Sequence, residues 1–181
     1  MEKRTQFSTR MLVEGAMMIA IATVLSFIKM KTPLWVNGGS VTAGSMIPIL
    51  IFSYRWGGDK GLLVGAVYGL LQFFIEPYAA HPLSIVLDYP LAFGLVGLMG
   101  YFAHATTNPS TKAIVTGVTV SLFGRFMAHF LSGFIFFASY APEGTHPVIY
   151  SLIYNASYMI PEIVISIVIF LLLRKPLTNI K

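Results

Sequence analysis

Cysteine is absent from the sequence, which excludes disulfide frameworks, thiolate metal sites and cysteine nucleophiles and leaves the redox compartment unread. Charge is scarce too: Asp, Glu, Lys and Arg make up 10% of the 181 residues, against about 25% in ordinary soluble domains. Motifs that would signal bond-making chemistry are also missing. There is no Gly-x-x-x-x-Gly-Lys-Ser/Thr phosphate loop, so the chain does not hydrolyse ATP by that route. Neither His-Glu-x-x-His nor Gly-x-Ser-x-Gly occurs, which removes a zinc helix and a nucleophile elbow. No run of cations with interleaved aromatics argues for a nucleic-acid partner, despite a net charge of +5.

What is present is apolar surface: 56% of residues are hydrophobic and the mean hydropathy is +0.75. This is the composition of an integral membrane protein, and at roughly 20 apolar residues per crossing the chain has room for about six spans and no soluble catalytic domain. Apolar stretches run at about 11–30, 42–55, 61–76, 83–104, 112–139 and 149–173. The expected fold is an all-α bundle of six transmembrane helices, residues 1–181 forming a single transmembrane domain in the cell membrane. Tyr54-Arg55-Trp56-Gly57-Gly58-Asp59-Lys60 reads as a turn at a membrane surface, and the proline-flanked segment Ser139 to Pro147 as a polar loop. Six spans sort the cations. Lys3, Arg4, Arg10, Arg55, Lys60, Lys112, Arg174, Lys175 and Lys181 share one side and only Lys29 and Lys31 the other, which predicts cytoplasmic termini. The first span follows a charged segment as a signal peptide would, but it is about 20 residues long and lacks a small-residue cleavage site, so it is expected to be retained.

Ionisable groups within such stretches are costly in lipid and usually face a protein interior or a wet cavity. Here they are Asp88, Arg125, His129 and Glu162, with Glu14 nearer the cytoplasmic end of the first helix. At about 1.5 Å of rise per residue, Asp88, Tyr89, Tyr150 and Asn155 fall in the outer half of the bilayer. His129 lies deeper, and Arg125 and Glu162 are near the middle. Arg125, His129, Gly133 and Phe137 recur every four residues and share one helix face, like the wall of a pocket in which Gly133 leaves space. Two alternatives stand for Arg125, an interior ion pair with Glu162 or a direct ligand contact; for His129 they are a helix-to-helix hydrogen bond or a place in the pocket. Asp88, beside Tyr89 and before Pro90, is either neutralised or held for a cation, which can be a ligand. Tyr150, Tyr154 and Tyr158 suit an interfacial aromatic belt, whereas the Asn155 amide offers donors and an acceptor to a heterocycle. The loop Trp35 to Ser40 is either a cover for an outward cavity or an ordinary surface loop. Together the residues suit recognition of a small, flat, cationic molecule better than bond cleavage.

Several short motifs then carry a resemblance. Glu14-Gly15-Ala16-Met17-Met18-Ile19-Ala20, Ile47-Pro48-Ile49-Leu50, Leu87-Asp88-Tyr89, His129-Phe130 with Gly133, and Tyr150-Ser151-Leu152 followed by Asn155 are spread over nearly the whole chain. In these the sequence resembles the thiamine-binding members of the substrate-binding S components of energy-coupling factor (ECF) vitamin transporters. The resemblance implies a six-helix bundle that binds thiamine from outside with high affinity. It also implies partners, a separate transmembrane coupling protein and two ATPase subunits that use the ATP, and no cofactor, metal or enzymatic activity of its own. The ligand set it implies is Asp88, Tyr89, Arg125, His129, Gly133, Phe137, Tyr150 and Asn155, with Tyr78 and Trp35 as additions. Ala16 and Ala20 match the face that meets the transmembrane partner, and as a small-x-x-x-small pair they permit close helix approach there or within the bundle. The chain departs from the family pattern with Asp88 in place of a Glu, Arg125 in place of a Lys and Phe137 in place of a Trp, and Glu162 has no ionisable counterpart. The rival readings are an S component for a thiamine precursor or another vitamin, an autonomous carrier moving protons through Asp88, Glu162 and His129, and a membrane enzyme using His129 with a carboxylate.

Overall fold

The computed structural model describes residues 7–30, 39–103 and 109–178. Trp35, Lys3, Arg4, Lys31 and Lys181 lie outside them. Helix α1 runs Thr9–Phe27 and is capped by Ser8, whose hydroxyl accepts the Met11 N–H at 3.2 Å. A short antiparallel pair follows, β1 (Lys29–Met30) against β2 (Val41–Thr42), with Lys29 opposite Thr42. Helix α2 (Ile47–Trp56) has Pro48 in its first turn and ends at Gly57, whose φ of 93° only glycine adopts readily. Helix α3 is Gly58–Ile75, and α4 is a continuous helical run over Pro82–Phe102. Helix α5 (Thr111–Phe136) is capped by Ser110, a short 3₁₀ turn covers Ala138–Tyr140, and α6 spans Pro147–Thr178.

Both α4 and α6 begin at a His-Pro pair. The Nδ1 atoms of His81 and His146 accept the backbone N–H of Leu83 at 3.1 Å and of Val148 at 3.3 Å, as Ser or Asp caps do elsewhere, and proline takes the first helical position. These two entries set where the helices carrying Asp88, Tyr150 and Asn155 start.

Among the described residues, five helices are long and apolar enough to cross a membrane: α1, α3, α4, α5 and α6. The stretch at 42–55 is built differently from the helix expected there. The chain comes in as β2, turns at Gly44 with φ 85°, and only then forms the ten-residue α2, about 15 Å long and half a hydrocarbon core of about 30 Å. Most of its side chains are enclosed: Ile49, Leu50, Phe52, Ser53 and Tyr54 are all buried. By contrast Phe74 is 77% and Leu172 74% exposed on the outer surface, as lipid-facing residues are.

Helix α4 also departs from a regular helix. Pro90 has no N–H to return to the carbonyl of Val86, and the chain widens into a π turn over Leu87–Leu91, the segment that holds Asp88 and Tyr89. Helix α3 packs against it almost backbone to backbone. A Cβ added at Gly65 would overlap the carbonyl oxygen of Phe93, and one at Gly69 that of Tyr89, so these glycines allow the approach that fixes the π turn. Nearer the opposite end, the Ser53 hydroxyl donates to the Gly97 carbonyl at 2.5 Å and accepts the Gly100 N–H at 2.9 Å, joining α2 to α4. Glu14 on α1 pairs with Arg55 on α2 at 3.0 Å.

Candidate ligand-binding site

A cavity of about 580 Å³ opens between the ends of α3, α4, α5 and α6 and the β1–β2 pair, a size within the ~300–1,000 Å³ typical of small-ligand sites. It lies at the end of the bundle away from Arg10, Arg55, Lys60, Lys112 and Arg174, since each of these stands at a helix terminus of the other end.

Nine residues picked out in the sequence line this one cavity: Tyr78, Asp88, Tyr89, Arg125, His129, Gly133, Phe137, Tyr150 and Asn155. The polar ones form a chain. Arg125 Nε–H points at His129 Nε2 at 3.3 Å, and His129 Nδ1 lies 2.9 Å from Asp88 Oδ1. With Nε2 accepting from a guanidinium that never gives up its proton, the imidazole proton belongs on Nδ1, donated to Asp88. Asp88 Oδ2 accepts the Ser132 hydroxyl at 2.5 Å. The Arg125 guanidinium carbon sits 4.4 Å from the Phe93 ring centroid, a cation–π contact that holds it on the cavity floor. The interior pair between Arg125 and Glu162 is not formed. Glu162 turns to Thr42, because the extended segment entering α2 brings backbone and hydroxyl donors that the helical reading of 42–55 did not contain.

Aromatic rings also line the cavity. Tyr78 and Phe137 stack in parallel, centroids 5.5 Å apart and planes 8° from coplanar, and Tyr140 continues the cluster 5.8 Å from Phe137. Burial pushes the Tyr78 hydroxyl above its ordinary pKa, and its hydrogen bond with Tyr140 adds to that, so it is a neutral donor across the physiological range. Tyr89 Oη donates to the Glu76 carbonyl at 2.9 Å and accepts the Tyr78 N–H at 3.0 Å, pinning the α3–α4 connection over the cavity.

Three residues behave differently from the sequence reading. Gly133 gives room to Ser151, onto which an added Cβ would collide, so its missing side chain serves the close approach of α5 and α6 as well as the cavity wall. Asn155 is internally engaged: Nδ2 donates to the Ser151 carbonyl at 2.8 Å, and Oδ1 accepts the Tyr158 hydroxyl at 2.5 Å. Tyr158, read as a belt residue, is 7% exposed and lines the cavity. Ala16 and Ala20 are exposed on α1, away from the bundle interior. The cavity also takes Ser26, Lys29, Thr42, Ser45, Gln72 and Glu76, which sequence reasoning missed. Glu76 before Pro77, at the end of an apolar run, was the available signal; Lys29 forms an ion pair with it. Among the described residues no three His, Asp or Glu side chains converge as a metal site would require.

Fold and cavity together define a class: a multi-pass membrane protein with a solute-sized cavity at the end opposite its cationic turns. Comparison with known proteins makes this specific. The chain belongs to the thiamine transporter protein family (Thia_YuaJ), whose model matches residues 12–181, in agreement with the resemblance seen in the motifs. It is 40% identical over 171 residues to the thiamine transporter ThiT of Bacillus subtilis (strain 168), covering 90% of this chain and 88% of that protein. It is 32% identical over 170 residues to ThiT of Lacticaseibacillus paracasei, covering 87% and 83%. A solved structure of ThiT from Listeria monocytogenes shares the fold with a TM-score of 0.81 at 24% identity, over 93% of this chain and 97% of that one. The structure of an S component of a bacterial ECF transporter aligns with a TM-score of 0.62 at 27% identity, over 95% and 98%.

Proposed function

We propose that this protein captures thiamine from the extracellular side with high affinity, as the substrate-binding S component of an ECF transporter. A transmembrane coupling protein and two ATPase subunits drive its release inward. The observation that carries the reading is that the Arg125–His129–Asp88 chain and the stacked Tyr78 and Phe137 line one cavity. Thiamine joins a thiazolium cation to an aminopyrimidine. The carboxylate of Asp88 and the aromatic faces suit the cation, and the hydroxyl of Tyr150, with the acceptor capacity left on Asn155 Oδ1 beside its bond from Tyr158, suits the heterocycle's polar edge. His129 Nδ1 and the Ser132 hydroxyl hold the Asp88 carboxylate in place on the cavity wall. The topology follows from charge: with Arg10, Arg55, Lys60, Lys112 and Arg174 on the cytoplasmic side, both termini are inside, the β2–α2 segment completes a sixth crossing, and the cavity opens outward. Binding without bond cleavage is the whole of this subunit's task.

A competition series tests the ligand. Thiamine is expected to displace labelled thiamine fully, with its hydroxymethylpyrimidine and thiazole halves each weaker by about 100-fold, since each half forgoes the other's contacts. A pyrimidine half that competes as well as thiamine would move the assignment to a precursor. Phe137→Ala removes one ring of the stack and should weaken thiamine by about 10-fold while leaving the Tm of the ligand-free protein nearly unchanged; unchanged affinity would take Phe137 out of the site.

The exposed Ala16 and Ala20 are the proposed contact with the transmembrane partner. Ala16→Leu with Ala20→Leu blocks close helix approach on that face. Purified protein carrying both changes should bind thiamine within about 2-fold of the parent, while ATP-dependent uptake by cells falls about 10-fold or more. Uptake at the parent rate would place the partner elsewhere.

A further inference from the structure

Glu162 is a carboxylate near the middle of the longest helix, 1% exposed, and takes no part in the cavity wall. Its Oε1 accepts two bonds from one residue, the Thr42 backbone N–H at 2.5 Å and the Thr42 hydroxyl at 2.7 Å. Its Oε2 is buried without a hydrogen-bond partner among the described residues. Burying a carboxylate with one oxygen unsatisfied is poor design for stability alone, since an apolar side chain of similar volume would fill the same space at lower cost. The bonded oxygen therefore directs attention to what Thr42 does.

Thr42 lines the cavity, as do Gly39 and Ser40 before it and Ser45 after it. The same stretch is held a second time by α6: the Gly39 N–H donates to the Tyr154 hydroxyl at 3.3 Å. Tyr154 and Glu162 are two turns apart on α6, about 12 Å, and Gly39 to Thr42 is three steps of extended chain, about 10 Å. The helix and the strand thus run side by side at matched spacing, fastened at an outer point and an inner point. At the inner point the Thr42 hydroxyl also meets Ser45 Oγ at 2.8 Å and accepts the Ser45 N–H at 3.2 Å, so Glu162 fixes the start of α2 along with the strand.

We propose that Glu162 is a positioning residue that acts through Thr42: it clamps the cavity-lining segment Gly39–Thr42 against α6 and thereby sets how slowly a bound ligand leaves. A wall held at its outer point alone swings on that point, and departure requires the wall to move. Association needs only an open cavity, so the clamp acts on the dissociation rate far more than on the association rate. The proposal rests on thiamine as the probe ligand.

The test is stopped-flow exchange of bound labelled thiamine on purified full-length protein, for the parent, Glu162→Gln, Glu162→Leu, Thr42→Val and the Glu162→Leu/Thr42→Val double variant. Glu162→Gln keeps an oxygen acceptor for Thr42 and should exchange within about 3-fold of the parent, while Glu162→Leu speeds dissociation by about 10-fold with association nearly unchanged. Thr42→Val should speed it less, and the double variant no more than Glu162→Leu alone, because both changes undo one clamp. Glu162→Leu exchanging at the parent rate, equal acceleration by Glu162→Gln and Glu162→Leu, or additive effects of the two changes would each overturn the proposal. Thiamine failing to bind the parent would instead overturn the ligand assignment.

Discussion

Replacing Asp88 by Ala should lower thiamine affinity by about 100-fold or more. The carboxylate has three tasks at once: it accepts the Ser132 hydroxyl, accepts the His129 Nδ1–H, and offsets the charge of Arg125 on the far side of His129. Its loss leaves two donors facing an empty space, at about 1–3 kcal/mol each, and leaves a cationic ligand beside an uncompensated guanidinium. A tenfold change corresponds to about 1.4 kcal/mol, so 100-fold asks about 2.8 kcal/mol, within the range these terms supply. Asp88→Asn separates charge from hydrogen bonding. Its amide oxygen still accepts from Ser132 or His129, so a loss of about 10-fold is expected, set mainly by the missing charge. Isothermal titration of both variants decides the matter, and parent-like affinity in Asp88→Ala would remove Asp88 from the site.

Gly69→Ala should destabilise the ligand-free protein by about 1–3 kcal/mol, the usual range for overpacking. The added methyl meets backbone atoms, the carbonyl of Tyr89 and the nitrogen of Pro90, and backbone in a packed π turn has nowhere to go. Since that turn carries Asp88 and Tyr89, thiamine affinity should fall with stability. Gly94→Ala is the matched control: on the other side of the same interface, its nearest neighbour would be the Leu62 carbonyl oxygen at 3.4 Å, an ordinary contact. Thermal unfolding in detergent should show Gly69→Ala well below the parent and Gly94→Ala close to it. Equal behaviour of the two would mean that close α3–α4 approach does not hold the turn.

The spans at 11–30, 83–104, 112–139 and 149–173 were legible because apolar runs longer than 18 residues, broken by charged turns, leave few alternatives in a bilayer. The cavity lining was legible for the same reason: with so few polar groups in the apolar stretches, Asp88, Arg125, His129 and Asn155 stood out, and the four-residue recurrence placed Arg125, His129, Gly133 and Phe137 on one face of α5. Less was legible where the chain leaves its regular period. Pro90 announced a disturbance in α4 but not that the turn would widen into a π turn. The strands Lys29–Met30 and Val41–Thr42 are two residues each, too short for any alternation to show. The partner of Glu162 could not be read because Thr42 lies 120 residues away in sequence and offers a backbone N–H, which every residue but proline carries. Tyr158 looked like its neighbours Tyr150 and Tyr154, and only helix packing distinguishes a buried phenol from an interfacial one.

The most direct test of the whole account is isothermal titration of purified, ligand-depleted protein with thiamine. Saturable one-to-one binding tighter than about 1 μM, or beyond about −8 kcal/mol, is expected, abolished or strongly weakened in Asp88→Ala. The absence of any saturable heat, matched by the absence of a thiamine-dependent rise in Tm, would contradict it.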